Sequence, residues 1–155
     1  MKLRFVWVGK TKSAPIRGLI EDYVDRIGKF AQVELVEIRD RMNVQSDIGA
    51  AAIREGEETL SRVRSDPFVV LLDEKGKQLA SDELARMIEG HQVAGTKQMT
   101  FVIGGHAGVS QQVRDRADYT LALSRMTLTH EMARAFLTEQ VYRAFTIIKN
   151  LPYKR

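Results

Sequence analysis

Five short runs of apolar and β-branched residues recur along this 155-residue chain, each separated from the next by a stretch long enough for a helix. They are Leu3 to Val8, Val33 to Ile38, Phe68 to Leu72, Met99 to Ile103 and Tyr119 to Leu123. A strand that is followed each time by a helix returns parallel to the strand before it. The alternation therefore predicts an α/β fold, a mainly parallel sheet with helices on both faces. The runs after Pro67 and at Met99 lack polar alternation, as strands buried on both faces do.

The intervening segments carry helix signals. Pro15 suits a first helical turn, and Ile16, Leu19, Ile20, Tyr23, Val24 and Ile27 then form one apolar stripe. Asp47 to Val63, rich in Ala, Glu and Arg, reads as a second helix with a mostly wet surface. Asp73 to Ala80 reads as a polar loop. Ser81 is an expected N-cap, with Asp82 and Glu83 in the first turn and Gly95 as the stop. Ser110 caps a short helix to about Ala117, and His130 to Asn150 forms the last. That helix spreads apolar residues such as Met132, Phe136, Leu137, Val141, Phe145 and Ile148 over more than one stripe. It needs two partners: the sheet of its own subunit is a candidate for one, and a second copy of the chain is a candidate for the other.

The length fits one domain over residues 1–155, enough to bury roughly 70% of the unfolded surface without staples. Cysteine is absent, which excludes disulfides and thiolate chemistry and fits a cytoplasmic protein. No apolar run is long enough to span a membrane. The net charge of +4 is uneven: residues 125–155 hold Arg125, Arg134, Arg143, Lys149, Lys154 and Arg155 against Glu131 and Glu139. Lys2, Arg4, Lys10, Lys12 and Arg17 make the other end basic too. Charge alone leaves two readings open, a phosphate-attracting surface and ordinary solvated helix faces.

Ligands of open α/β sheets bind at the carboxyl ends of the strands, and glycines there let a ligand approach the backbone. Two loops qualify: Gly104-Gly105-His106-Ala107-Gly108 and Ser124-Arg125-Met126-Thr127-Leu128-Thr129. The first lacks dinucleotide spacing and follows the fourth strand, so an ordinary Rossmann site is not expected. Val8-Gly9-Lys10-Thr11 ends like a P-loop, but Arg4 stands where the first glycine is required, leaving a surface turn. His130-Glu131 lacks the second histidine of a zinc protease, because Arg134 stands there, and no metal site is expected. Asp73 fits either a ligand contact or a polar strand cap.

Phe101 to Gly108, Leu123 to Arg134 and Asn150-Leu151-Pro152-Tyr153-Lys154-Arg155 closely resemble the small bacterial SPOUT methyltransferases of the ribosomal RNA large subunit methyltransferase H family. The resemblance spans the chain, including its Met1-Lys2-Leu3 start, Val8-Gly9, Glu55-Gly56-Glu57 and Leu72-Asp73. It implies a C-terminal trefoil knot, a rare exception to unthreaded connections. It also implies methylation of N3 of a pseudouridine in 23S ribosomal RNA, in the large subunit or assembled ribosome, with S-adenosylmethionine as cofactor. The cofactor residues carried over are Leu72, Gly104, Leu123, Ser124, Arg125, Met126, Thr127 and Leu128. Apolar Leu72, Met126 and Leu128 would enclose the adenine ring.

The same resemblance makes His130 the candidate to contact or deprotonate the base, or to order the RNA. Arg125, Arg134, Tyr153, Lys154 and Arg155 are its RNA-binding candidates, the arginines for phosphate and Tyr153 for stacking. A homodimer would let the tail of one subunit close over the cofactor site of the other. The chain departs from the family pattern at Thr129, usually proline, at Lys154, often histidine, and at His106, a variable position. A ribosome-associated RNA-binding module without catalysis and a related knotted transfer RNA methyltransferase are the alternative readings.

Overall fold

The structure is a computed structural model and describes residues 1–42 and 47–153. Its elements alternate throughout: β1 (Lys2–Val8), α1 (Ala14–Ile27), β2 (Val33–Ile38), α2 (Ile48–Val63), β3 (Phe68–Gln78), α3 (Ser81–Val93), β4 (Gln98–Ile103), α4 (Gln111–Arg116), β5 (Tyr119–Ala122) and α5 (His130–Ile148). All pairings are parallel, in the order β2-β1-β4-β3-β5. The expected α/β class with helices on both faces is what forms.

The two faces bury different layers. Ile20 and Ile27 of α1, Leu84, Ala85 and Ile88 of α3, and Leu137, Val141 and Phe145 of α5 pack with Phe5, Val70 and Phe101 of the sheet. On the opposite face Val63 of α2 and Val113 of α4 cover Val6, Val69, Leu71 and Val102. Alternate residues of one strand thus serve both layers, which is why these strands read as unbroken apolar runs. The two-faced α5 finds its partners within its own subunit, wedged against α1 and α3 over the sheet. Met132, Phe136 and Ile147 remain exposed on its outer side.

Helix α2 departs from the expected wet surface. Ala51, Glu55, Gly56, Thr59 and Val63 form a buried stripe while Ile53 faces solvent. Helix α3 is capped differently from the expectation: Ala80 is the N-cap and Ser81 the first helical residue. Glu83 accepts from the Ala80 N–H at 2.7 Å, which supplies the reciprocal half of a capping box without the hydroxyl half. Gly95, with φ +77°, ends that helix as expected. Ser110 and Thr129 cap α4 and α5 through Val113 and Met132.

The segment read as a polar loop, Asp73 to Ala80, is strand as far as Gln78. Leu72 pairs with Leu121, the register then shifts, and Lys77 pairs with Leu121 again. β3 therefore bows out after Leu72 and returns across β5. A Cβ on Gly76 would lie 2.7 Å from backbone atoms of Thr120 and Leu121, so only glycine allows this crossing. The polar composition hid the strand because its hydrogen bonds go to a segment that comes much later in the chain.

Candidate active site

Where β3 bows out after Leu72, and at the carboxyl ends of β4 and β5, lies a cavity of about 390 Å³. Helix α4 packs on one face of the sheet and α5 on the other, so the loops after β4 and β5 leave toward opposite faces and open a crevice between them. Its walls include Leu72, Gly104, Leu123, Ser124, Met126, Thr127, Leu128 and His130. The cavity thus gathers every expected cofactor residue except Arg125, which is exposed and does not line it.

Glycine shapes the wall. A Cβ on Gly104 would lie 2.6 Å from Val109 Cγ2, so the loop closes tightly on itself there. Gly108 has φ +85° and pairs back to Gly105 across a short bridge. On the other side the Ser124 hydroxyl accepts from the Met126 N–H at 2.9 Å and turns the second loop. Met126 is 79% exposed, so it stands at the rim and does not enclose anything in this conformation. Asp73 also lines the cavity and pairs with Arg114 at 2.5 Å. Arg114 and His106 are wall residues that the sequence did not single out as site residues: Arg114 lies outside both loops, and His106, within the glycine loop, stands at a variable position of the family pattern.

Helix α5 delivers His130 to the rim as its first residue. The imidazole lies against His106, with centroids 4.5 Å apart and planes at 82°. Burial lowers the His130 pKa most, and His106 and Arg134 lower it further, against smaller opposing effects of Asp40 and the Gly104 backbone. Next to it Glu131 accepts from the backbone N–H groups of Lys12 (2.5 Å) and Ser13 (3.2 Å), which hold its carboxyl below the usual range. This contact ties the β1–α1 turn to the start of α5.

Two of the expected RNA contacts are placed elsewhere. Arg134 is only 2% exposed; its guanidinium donates to Thr11 Oγ1 at 3.0 Å and Val8 O at 2.5 Å and lies over Trp7. With those faces used it is not presented to a phosphate, and it serves the β1–α1 turn instead. The helical period turns this residue inward, which a charge count cannot register. Tyr153 folds back onto its own subunit, its hydroxyl 3.1 Å from both Tyr23 Oη and Glu139 Oε1 and its ring edge-on to Tyr142. Burial raises its pKa. Lys154 and Arg155 lie outside the described residues.

No group of three or more metal-binding side chains occurs among the described residues, and no helix there is long and apolar enough to cross a membrane.

A family model described as "Predicted SPOUT methyltransferase" matches residues 1–154. Ribosomal RNA large subunit methyltransferase H of Geotalea daltonii is 44% identical over 153 residues, covering 99% of both chains. Among solved structures, a probable methylase family protein from Haemophilus influenzae superposes with TM-score 0.58 at 15% identity, over 99% of this chain and 70% of that one. A putative methyltransferase from Legionella pneumophila, solved with bound cofactor SAM, gives TM-score 0.54 at 11% identity over 93% of this chain and 66% of its own. Strand ends, glycine loop and full-length similarity agree, and the chain belongs to the SPOUT methyltransferase family.

Proposed function

We propose that this chain is an S-adenosylmethionine-dependent methyltransferase acting on N3 of a pseudouridine in 23S ribosomal RNA, in the large subunit or assembled ribosome. The observation that carries the reading is the cavity where β3 bows out and β4 and β5 end, in which the glycine loop and the Leu123 to Leu128 loop face each other. Its volume suits a ligand of nucleoside size. Backbone groups of Gly104 and of the second loop can read an adenine edge, and Leu72 and Leu128 supply apolar walls. The name of the Geotalea relative supports the ribosomal RNA substrate, and the cofactor held by the Legionella neighbour supports the ligand class.

When bound, the cofactor supplies an electrophilic methyl group. The protein's own task is then to hold the base in line and to remove its N3 proton. His130, at the rim and with a lowered pKa, is available as a neutral imidazole for that proton. Arg125 is exposed beside the cavity loop and suits phosphate contact, as do Lys154 and Arg155 on the tail. The bowed-out stretch of β3, which crosses β5 at Gly76, supports the threaded C-terminal arrangement expected of the family. A homodimer belongs to the same reading. The exposed Met132, Phe136 and Ile147 offer an apolar face beside the tail, and release of Tyr153 from Tyr23 would let it stack on RNA across that interface.

The test is mass spectrometry of 23S ribosomal RNA from cells lacking the gene, before and after treatment with purified protein and S-adenosylmethionine. Restoration of one methylated pseudouridine is expected. No methyl gain on large subunits or whole ribosomes would overturn the proposal.

A further inference from the structure

The two imidazoles at the cavity rim come from different elements, His106 from the exposed crest of the glycine loop and His130 from the half-buried start of α5. Their edge-to-face contact sets the positive edge of one ring against the π face of the other. This geometry suits one neutral ring facing one that holds or accepts a proton, and it disfavours two cations. The charged groups around the pair fit the same count. Arg134 faces His130 from the next turn of α5, while Asp40 faces it from the loop after β2. Glu55 of α2 faces His106 from below the glycine loop, with Asp40 and Arg41 beside it. A Cβ on Gly105 would lie 3.3 Å from Glu55 Oε2, so the acid sits directly under this loop.

We propose that His106 and His130 work as one proton-accepting pair at the rim of the cavity, His130 receiving the proton of the substrate base and His106 setting how readily it does so. The proposal rests on the methyltransferase reading above. As the N3–H bond breaks, its electron pair forms the N3–methyl bond. The methyl–sulfur bond breaks with its electrons left on sulfur, and the proton ends on the imidazole. His106 is here a positioning residue. It acts through His130, by contact and by charge.

The pair is tested by NMR titration of the histidine ring protons in the full chain without cofactor, which needs no enzyme activity. His91, whose ring lies tilted against Phe68 of β3, serves as internal control. In His106→Asn the midpoint of His130 moves up, because a neighbour that opposes its protonation is gone, while that of His91 stays. The acid limb of kcat/KM then moves to higher pH in the same variant. In His130→Asn methyl transfer falls by about 100-fold or more while cofactor binding, read by calorimetry, persists. An unmoved His130 midpoint in His106→Asn overturns the pairing and leaves the methyltransferase reading intact. Absence of cofactor binding by the unaltered protein overturns the underlying reading instead.

Discussion

The two ends of the sheet solve the problem of buried polar groups in opposite ways. At the amino ends of the strands, Asp66 accepts from Arg4 Nη1 at 3.2 Å on both oxygens and from the Thr100 hydroxyl at 2.6 Å. Arg4 also reaches Glu34 and the Arg62 carbonyl, Arg116 donates to the carbonyls of Arg64 and Asp66, and Asp118 accepts from the Val69 N–H at 2.8 Å. Each of these groups is paired, with partners brought together from distant parts of the chain. At the carboxyl ends, Trp7 Nε1, Glu55 Oε2 and Arg134 Nε are buried without a hydrogen-bond partner among the described residues. Such groups cost stability, and native proteins keep them mainly where they serve something else. One end is held together by paired groups, whereas the other carries a cost in stability close to the glycine loop that walls the cavity.

The sharpest way to break this contrast is Gly104→Val. Its Cβ would press into Val109 and its methyl groups into the cavity wall, so cofactor binding measured by calorimetry is expected to disappear. Overpacking typically costs about 1–3 kcal/mol of stability, less than the roughly 5–15 kcal/mol that holds a typical domain folded. Retained affinity would mean that the carboxyl end is not where the ligand sits.

At the opposite end Asp66→Ala should do the reverse. It leaves Arg4 and Thr100 without their shared acceptor and is expected to cost about 3 kcal/mol in urea unfolding, while cofactor affinity persists. A loss of affinity as large as the loss of stability would show the two ends to be energetically one unit.

The same contrast governs what could be read from the chain before folding. The stripe Ile16, Ile20, Val24 and Ile27 and the runs at Phe68 and Met99 declare their elements, because their period or continuity is itself the burial pattern. The cavity was legible in Gly104 and in Ser124 to Leu128, whose types suit turns and close backbone approach. What escaped were polar residues made internal by tertiary contacts. Lys77 and Gln78 become strand because β5 arrives beside them, Glu55 is buried because the glycine loop lies over it, and Arg134 turns inward over Trp7. Tyr153 is held by Tyr23, a residue 130 positions away in sequence. Each case needs knowledge of a neighbour that local composition does not contain.

The smallest expected effect sharpens the contrast through pH. Glu55 is 2% exposed; its Oε1 accepts from the Arg41 N–H at 2.8 Å, while Oε2 has no hydrogen-bond partner among the described residues. Desolvation raises its pKa, the Arg41 N–H opposes this, and Asp40 raises it further. Because the folded-state pKa lies above the unfolded value of about 4.3, the folded protein binds the extra proton between the two. Stability contributed by this group is therefore full below the unfolded value and falls as pH rises through the folded one. Glu55→Gln keeps an oxygen for Arg41 and cannot ionise, so it should be more stable than the parent by about 1 kcal/mol at pH 7. In urea unfolding that gain should fade toward pH 4, where the parent carboxyl is itself neutral. Destabilisation at pH 7 would instead make the ionised Glu55 a structural partner like Asp66, and the carboxyl end would no longer be the one that sacrifices stability for its site.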